Sequence, residues 1–223
     1  MSSVRNKKRI FIDFDGTIVD IKNKYCELYK EANKKFNLNI FNNNIYWKYK
    51  RNKISEKEIL FKNNINLADI DRYLSFRTLH IEDKRYLAFD KLIISEARKN
   101  GFKKNGELYL ITLRKNKNNL FWELKKLGIK DSFKEILCRE DLGEQRLEDN
   151  NDEIQKKKLL NMFYPFRLGD ILIGDTEVDY SIGVSFKIQT FLVNTGLRDE
   201  KLLKALHPKS IIYKSINNVF SIT

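Results

Sequence analysis

Five short apolar runs, each closed by polar or turn residues, recur along the 223-residue chain and most constrain its fold. They read RIFIDFDGT, ELYLITLR, EILC, DILIGDT and QTFLVNTG. Runs of this length are typical of strands buried on both faces of a parallel sheet. Between the second and third runs, Leu120, Phe121, Leu124 and Leu127 recur at helical spacing and stop at Gly128. This alternation of strand and helix predicts an open α/β sheet with right-handed crossovers.

The long stretch between the first and second runs, residues 18 to about 107, breaks the alternation. It contains amphipathic segments such as KNKYCELYKEANKKF and SEKEILFKNN, and no convincing strand. Its last segment, DKRYLAFDKLIISEARKNG, is predicted to be the helix that leads into the second strand. We therefore predict a core domain at 1–19 and 83–223, and a small helical domain inserted at 20–82.

Two aspartates leave the first strand one residue apart, in the segment FIDFDGT. Residues that follow a parallel strand emerge at its carboxyl edge, where open α/β sheets bind ligands. Asp13 and Asp15 lie at this exit, and Gly16 and Thr17 permit a sharp turn away from it. Neighbouring carboxylates repel each other, and burial makes each more costly without a cation. A Mg²⁺ ion, which takes carboxylate and phosphate oxygens, resolves that conflict; a simple turn at the strand end is the alternative.

Three further features follow in chain order. Thr112 ends the second run and can donate a hydrogen bond to a phosphate oxygen. Three lysines at 156–158 are predicted to open an amphipathic helix, and Asp175 and Asp179 follow the fourth run. The polar segment between the third run and these lysines, REDLGEQRLEDNNDEIQ, is predicted to be a solvated loop or a weak helix. Each feature is weak alone, and it is their order that points to a phosphate site.

Together these features resemble the four motifs of the haloacid dehalogenase superfamily of aspartyl phosphotransferases. The matching segments are DFDGT, the strand that ends in ITLR, a lysine at the start of a helix, and GDTEVD. The resemblance spans about residues 8 to 195, and the segment VNTGLRDEKLLKALHPKSIIY is similar, less specifically, to phosphoglycolate-phosphatase-like members. It implies a Rossmann-like parallel sheet with helices on both faces, and it makes the helical insertion a small cap.

The resemblance also implies a role for each matching residue. Asp13 would be the nucleophile that becomes an aspartyl phosphate, and Asp15 the general acid and then the base that activates water. Thr112 would hold the phosphoryl oxygens, and the helix lysine would stabilise the phosphoryl charge. Mg²⁺ would be bound by Asp13, Asp175 and the backbone carbonyl of Asp15, with Asp179 as a further carboxylate, direct or through water. The predicted substrate contacts are Gly16, Thr17, Arg114 and Lys157.

Two of the three lysines compete for the catalytic role. In the family, apolar residues follow the lysine by three, four and seven positions. Lys156 meets this pattern with Leu159, Leu160 and Phe163, whereas Lys157 meets it less well. We therefore predict Lys156, with Lys157 as the alternative.

The chain carries a formal net charge of +13. Such a charge attracts anions, including phosphorylated substrates and nucleic acids. The lysines are scattered among Asn and Ile residues instead of gathered in one tract, which argues against direct nucleic-acid binding. No apolar run approaches the roughly 18 to 20 residues that a bilayer requires, and Asp13 and Asp15 interrupt the first apolar run at once. We therefore expect a cytoplasmic location and no membrane partner.

The second aspartate of DFDGT selects among the reactions of the superfamily. Dehalogenases lack it because halide leaves without a proton, so its presence as Asp15 predicts phosphoryl transfer, and hydrolysis in particular. The prediction is a Mg²⁺-dependent phosphatase acting on a small phosphorylated metabolite. The alternatives are a phosphatase that acts on nucleotides or nucleic-acid ends, and a non-catalytic binding protein of the same fold.

Overall fold

The computed structural model describes residues 7–38, 42–95, 106–146 and 151–222, without the side chains of 145 and 146. Its strands are β1 (Arg9–Ile12), β2 (Val19–Asp20), β3 (Lys91–Leu92), β4 (Glu107–Ile111), β5 (Glu135–Leu137), β6 (Ile171–Gly174), β7 (Gln189–Val193) and β8 (Ile211–Tyr213). Six of them form one parallel sheet in the order β5-β4-β1-β6-β7-β8. The two short strands β2 and β3 pair antiparallel in a separate ribbon.

The helices are α1 (Lys22–Phe36), α2 (Asn43–Arg51), α3 (Glu56–Phe61), α4 (Leu67–His80), α5 (Lys84–Leu87), α6 (Lys117–Lys126), α7 (Asp152–Asn161), α8 (Glu177–Phe186), α9 (Glu200–Leu206) and α10 (Ile216–Val219). Short 3-10 segments lie at Lys130–Ser132 and Arg139–Arg146. Within the described ranges, no helix is both long and apolar enough to cross a bilayer.

Successive residues of β1 point to opposite faces of the sheet, and each face is covered by helices. Phe11 packs in one buried cluster with Leu159 and Leu160 of α7. Ile10 and Ile12 belong to a second cluster, which includes Leu120 and Leu124 of α6, and Ile216 of α10. Because both faces are buried, the strands are apolar throughout, as a parallel sheet requires. The predicted α/β class, with a Rossmann-like core, is confirmed.

The sheet has one more strand than the five apolar runs predict. β8 is only three residues long and half-exposed, and it joins the sheet edge by pairing with β7. Such a short edge strand carries little apolar signal in the sequence. Its pairing, not its composition, makes it a strand.

The predicted helix over residues 83–101 is wrong between residues 88 and 95, and residues 96–101 lie outside the described residues. The helix α5 ends at Leu87, and the chain then forms β3. Here Leu92 pairs with Val19, and the amide of Ile93 donates to the carbonyl of Ile18 at 2.9 Å. These long-range contacts override the local helical pattern. The stretch between the first two apolar runs therefore contains two short strands, β2 and β3, that its sequence did not predict.

The helix with the three lysines begins at Asp152, four residues before the predicted start. Asn151 caps it by accepting hydrogen bonds from the amides of Glu153 and Ile154 at 2.8 and 3.3 Å. Two acidic residues in the first turn also favour this start, because they interact with the positive end of the helix dipole. Lys156 is therefore the fifth residue of α7, one turn inside the helix.

The helices α1 to α4 all lie within the predicted cap at 20–82, whose boundaries stay a prediction. Their shared core contains a stack of Tyr29 on Tyr46, with ring centroids 3.9 Å apart. Cap residues and one face of the sheet belong to a single buried cluster, which includes Tyr29, Tyr46 and Ile12. The cap therefore packs continuously onto the core.

A buried glutamate organises the polar interior of the cap. Glu56 lies 3.1 Å from the ammonium of Lys50 and 3.0 Å from Nε of Arg77. The hydroxyl of Tyr46 donates to it at 2.8 Å, and that of Tyr73 donates to its other oxygen. Burial alone would raise the pKa of Glu56, but Lys50, Arg77 and the two hydroxyls lower it to about 2.

This lowered pKa predicts an acid-sensitive contribution to stability. The contribution is complete above the ordinary glutamate pKa of 4.5 and is lost as the pH falls from there towards 2. We expect the stability advantage of wild type over Glu56→Gln to shrink by about 2 kcal/mol between pH 6 and pH 3. Urea unfolding at the two pH values measures it, with the exposed Asp71→Asn as control. An advantage that does not change with pH would contradict the prediction.

Candidate active site

The ends of three adjacent strands bring the predicted site residues together. β1 lies between β4 and β6, and all three run parallel. Asp13, Thr112 and Asp175 follow these strands directly, and the amide of Asp13 still donates to the carbonyl of Ile173 at 2.9 Å. All three side chains are at least nine-tenths buried. The carboxyl edge of the sheet therefore presents two carboxylates and a hydroxyl side by side.

Three buried aspartates converge at this edge. Asp13, Asp175 and Asp179 each offer a carboxylate oxygen, and these oxygens lie within 4.8 Å of one another. Asp179 is held in the first turn of α8, where one of its oxygens accepts from the amide and the hydroxyl of Thr176. Asp175 is held by the amide of Leu197, which donates to Oδ2 at 2.6 Å. Backbone contacts thus fix carboxylates that would otherwise repel each other.

Glycines allow the loops to approach Asp175 closely. Gly16 has a φ of +79°, and a Cβ there would lie 2.6 Å from Oδ2 of Asp175. A Cβ on Gly196 would lie 1.9 Å from the same oxygen. The glycine of DFDGT is therefore required both by its backbone conformation and by its contact with the acidic cluster.

One buried ammonium faces this cluster. Nζ of Lys156 lies 2.6 Å from Asp13 and 2.6 Å from Asp179. Burial would lower the pKa of Lys156, but the two carboxylates raise it above its ordinary value, so the ammonium stays charged. Burial raises the pKa of Asp13 to about 7, although Lys156 opposes the shift. Burial and the charges of Asp13 and Asp179 raise the pKa of Asp175 well above its ordinary value.

These residues fit a divalent cation. Among the residues that the structure describes, Lys156 is the only cation paired with any of the three carboxylates, and it pairs with Asp13 and Asp179 alone. The cluster therefore lacks positive charge. The raised pKa of Asp175 reflects its burial first and then the charges of Asp13 and Asp179. Carboxylate oxygens that converge in this way are the donor set that Mg²⁺ prefers.

Asp15 lies in a second, separate cluster of charges. Its carboxylate accepts from Nε and Nη2 of Arg114 at 2.5 and 2.7 Å, and from Lys24 of α1 at 2.9 Å. Burial would raise the pKa of Asp15, but Arg114 and Lys24 hold it well below its usual range. Within the described residues, the carboxylate of Asp15 does not belong to the group formed by Asp13, Asp175 and Asp179. The predicted metal contact of Asp15 therefore concerns its backbone carbonyl alone.

Two further acids complete this second cluster. Asp90 lies 2.7 Å from Lys24 and 3.2 Å from Arg114, and Glu123 of α6 lies 3.2 Å from Arg114. Both acids are nearly inaccessible to solvent. Burial raises the pKa of Glu123 to about 8, and Arg114 and Lys24 offset only part of the shift. Arg114 thus forms ion pairs with three acids, Asp15, Asp90 and Glu123.

Several predicted residues line one cleft of about 380 Å³ between sheet and cap: Asp13, Asp15, Thr112, Arg114, Lys156 and Asp175. Gly16, Thr17 and Lys157 are not among the residues that line this cleft, although Gly16 lies next to Asp175. Thr17 is completely buried, and Lys157 is exposed with its ammonium 5.6 Å from the ring centroid of Phe186. Adjacent positions of a helix point about 100° apart, so Lys157 faces away when Lys156 faces Asp13. The substrate contacts predicted for Gly16, Thr17 and Lys157 stay predictions.

Sequence reasoning missed Lys24, Glu123 and Arg77. Lys24 shares a buried helix face with Leu28 and Ala32, and Glu123 lies on the apolar face formed by Leu120 and Leu124. A charged residue at an apolar position of a helix is the signal that could have identified Lys24 and Glu123. Arg77 carries no comparable signal, because half of α4 is polar.

Comparison of the sequence with protein-family models and with curated proteins gives no match. Solved structures match nearly the whole chain. A haloacid dehalogenase-like hydrolase from Streptococcus pneumoniae is 17% identical, with 97% of this chain and 98% of that one covered and a TM-score of 0.69. A predicted phosphoglycolate phosphatase from Haemophilus somnus is 16% identical, with 96% and 97% covered and a TM-score of 0.71.

A third solved structure broadens the range of named activities. The protein tyrosine kinase A of Mycobacterium tuberculosis is 14% identical, with 97% of this chain and 98% of that one covered and a TM-score of 0.69. At such identities the likeness establishes the fold, which is that of the haloacid dehalogenase-like hydrolases. The resemblance seen in the motifs is confirmed at this level. The activity must be argued from the site, because one fold supports several reactions.

The second cluster generates a prediction about stability. Arg114→Met removes a buried cation and leaves Asp15 and Asp90 with Lys24 as their only cation among the described residues. Uncompensated buried charge is costly, so we expect a loss of about 3–5 kcal/mol in the free energy of unfolding. The neighbouring exposed Lys115→Met is the control and should change stability by about 0.5 kcal/mol or less. Urea denaturation measures both, and equal values for the two variants would contradict the role given to Arg114.

Proposed function

We propose that this chain is a Mg²⁺-dependent phosphatase that hydrolyses a small phosphorylated metabolite through an aspartyl phosphate on Asp13. The observation that carries the proposal is the position of Asp13. Its carboxylate stands at the carboxyl end of the central strand, 2.6 Å from the ammonium of Lys156 and beside Asp175 and Asp179. The fold shared with named hydrolases and phosphatases supports the same reaction class.

In the proposed first step, the carboxylate of Asp13 attacks phosphorus and the bond from phosphorus to the leaving oxygen breaks. The leaving alcohol takes a proton from Asp15. In the second step Asp15 takes a proton from water, and the water oxygen attacks phosphorus. The bond from phosphorus to the Asp13 carboxylate breaks, and inorganic phosphate is released. Asp13 and Asp15 then return to their initial states, so that protons and bonds balance over the cycle.

Positive charge around Asp13 suits this chemistry, because phosphoryl transfer depends mainly on positioning and on neutralising the phosphoryl oxygens. Lys156 keeps its charge and lies against the nucleophile. The hydroxyl of Thr112 lines the same cleft and is a donor for a phosphoryl oxygen. Asp13, Asp175 and Asp179, with the backbone carbonyl of Asp15, would hold Mg²⁺, which supplies further positive charge next to the phosphoryl group.

The position of Asp15 adds a condition to its role. Paired with Arg114 and Lys24, it is a carboxylate and holds no proton to donate. It must therefore leave at least one of these cations and take up a proton from solvent before it acts as an acid. Lys24 belongs to α1 in the cap, so a movement of the cap relative to the core would change the charge that faces Asp15.

The test of the proposed function is hydrolysis of a generic aryl phosphate in the presence of Mg²⁺. Asp13→Asn removes the nucleophile but keeps the shape of the side chain, so we expect activity to fall to background. Addition of a metal chelator to wild type should have the same effect. Retained activity in the Asp13→Asn variant would refute the aspartyl-phosphate mechanism.

The neighbouring lysines provide a matched comparison. Lys156→Met removes the ammonium beside Asp13, so we expect kcat to fall by about 100-fold or more. Lys157→Met changes an exposed side chain on the other side of α7 and should leave kcat near that of wild type. Steady-state kinetics on the same aryl phosphate measures both variants. A larger loss in Lys157→Met would reverse the assignment.

The net charge of +13 favours a second candidate, a phosphatase for nucleotides or nucleic-acid ends. It predicts salt-sensitive binding of oligonucleotides and faster hydrolysis of nucleotides than of small sugar or alkyl phosphates. A non-catalytic binding protein predicts Mg²⁺ binding without turnover on any of a broad panel of phosphate esters. The same panel of phosphate esters, assayed at low and high salt, distinguishes the three candidate functions.

A further inference from the structure

Arg77 of the cap helix α4 lines the same cleft as Asp13, Thr112 and Lys156. Its side chain is 24% exposed. Arg77 lies on the side of the cleft formed by cap residues, whereas the predicted phosphoryl site lies at the ends of the strands. A molecule bound at Asp13 and reaching towards the cap would therefore meet a guanidinium.

Contacts with Glu56 and Tyr25 hold the guanidinium of Arg77 in place. Its Nε lies 3.0 Å from Oε1 of Glu56, and its central carbon lies 5.4 Å from the centroid of the Tyr25 ring. Glu56 is itself held by Lys50 and by the hydroxyls of Tyr46 and Tyr73. An arginine placed in this way needs little ordering when a ligand binds, because its conformation is already set.

The terminal nitrogens of Arg77 differ from those of the other arginines along the cleft. Arg114 is paired with Asp15 and Asp90, Arg198 with Glu177, and Arg139 with Asp152. In the part of the chain that the structure describes, Glu56 is the only carboxylate paired with Arg77, and the pair involves Nε. The two Nη groups make no hydrogen bond there and are left for a ligand.

We propose that Arg77 is a specificity-determining residue that binds a second anionic group of the substrate. The inference rests on the proposed phosphatase function and names its substrate class: small phosphate monoesters that carry a carboxylate or a second phosphate at the end remote from the reacting phosphorus. A guanidinium presents two parallel N–H donors that match a carboxylate or a phosphate, and a partly buried site strengthens such a pair. The phosphoryl group would occupy the Lys156 end of the cleft, and the second anion the Arg77 end.

A purely structural role for Arg77 makes a different prediction. Glu56 also has Lys50 and two tyrosine hydroxyls as partners, so loss of Arg77 removes one of four contacts. If holding the cap were its function, its replacement would affect every substrate equally. If it binds an anion, the effect depends on whether the substrate carries that anion.

The experiment compares matched substrates on matched variants. The substrates are carboxyalkyl phosphates of increasing chain length and the alkyl phosphates of the same lengths, with alkyl bisphosphates as a second arm that separates phosphate from carboxylate. The variants are Arg77→Gln and, as control, Arg72→Gln on the same helix. The side chain of Arg72 is 59% exposed and pairs with Asp69. Thermal unfolding of each variant confirms that it is folded.

For wild type we expect kcat/KM to be about 10- to 100-fold higher on the best doubly anionic substrate than on its alkyl match. Arg77→Gln should remove this preference, mainly through KM, and should leave the alkyl phosphates within about 3-fold of wild type. Arg72→Gln should keep the preference. Equal losses of Arg77→Gln on both substrate types, or no preference in wild type, would overturn the inference.

A binding measurement keeps this test separate from that of the proposed function. Calorimetry with carboxyalkyl phosphonates and alkyl phosphonates, which cannot be hydrolysed, requires no turnover. Selective loss of carboxyalkyl phosphonate affinity in Arg77→Gln supports the second anion site even if no phosphate ester is hydrolysed. If wild type hydrolyses phosphate esters but binds both phosphonates equally, the phosphatase stands and the role of Arg77 is refuted.

Discussion

The ammonium of Lys156, placed between Asp13 and Asp179, is the interaction on which the site depends. The parallel order of β1, β4 and β6 brings strand ends together at one edge, and the sequence places aspartates at two of these ends. Buried carboxylates at such distances destabilise the fold unless positive charge faces them. Lys156 supplies that charge from a helix packed against the sheet. The remaining excess of negative charge is what a divalent cation would neutralise.

The two aspartates of DFDGT differ because their neighbours differ. Asp13 is buried among acids with one cation beside it, so its pKa rises to about 7. Asp15 has two cations against its carboxylate, and its pKa falls. Groups whose environments push their pKa values apart are suited to different chemical roles. Here the separation arises from Lys24 and Arg114, which come from the cap and from the loop after β4.

The positions of the strand ends could be predicted from the sequence, whereas many contacts of the side chains around them could not. Apolar runs and the polar residues that close them identify Asp13, Thr112 and Asp175, because a parallel sheet fixes where each run ends. The spacing of apolar residues also favoured Lys156 over Lys157, which agrees with the direction of each side chain on α7. The strand β3 and the contacts of Asp90 could not be predicted, because both depend on pairing with residues about 70 positions away. Long-range charge pairs such as Arg114 with Asp15 leave no local periodicity to read.

The cap lines one side of the cleft and also contributes a positive charge to the site. Lys24 reaches Asp15 and Asp90 in the core, while Arg51 of α2 donates to the carbonyls of Asn194 and Arg198. Any separation of cap and core that moved Lys24 away would remove a cation from Asp15, and the pKa of that carboxyl would rise. The proton affinity of Asp15 is therefore linked to the position of the cap. Because the insertion carries Lys24 and Arg77 on separate helices, the proposed anion binding at Arg77 and the proposed proton transfer at Asp15 would both depend on its position.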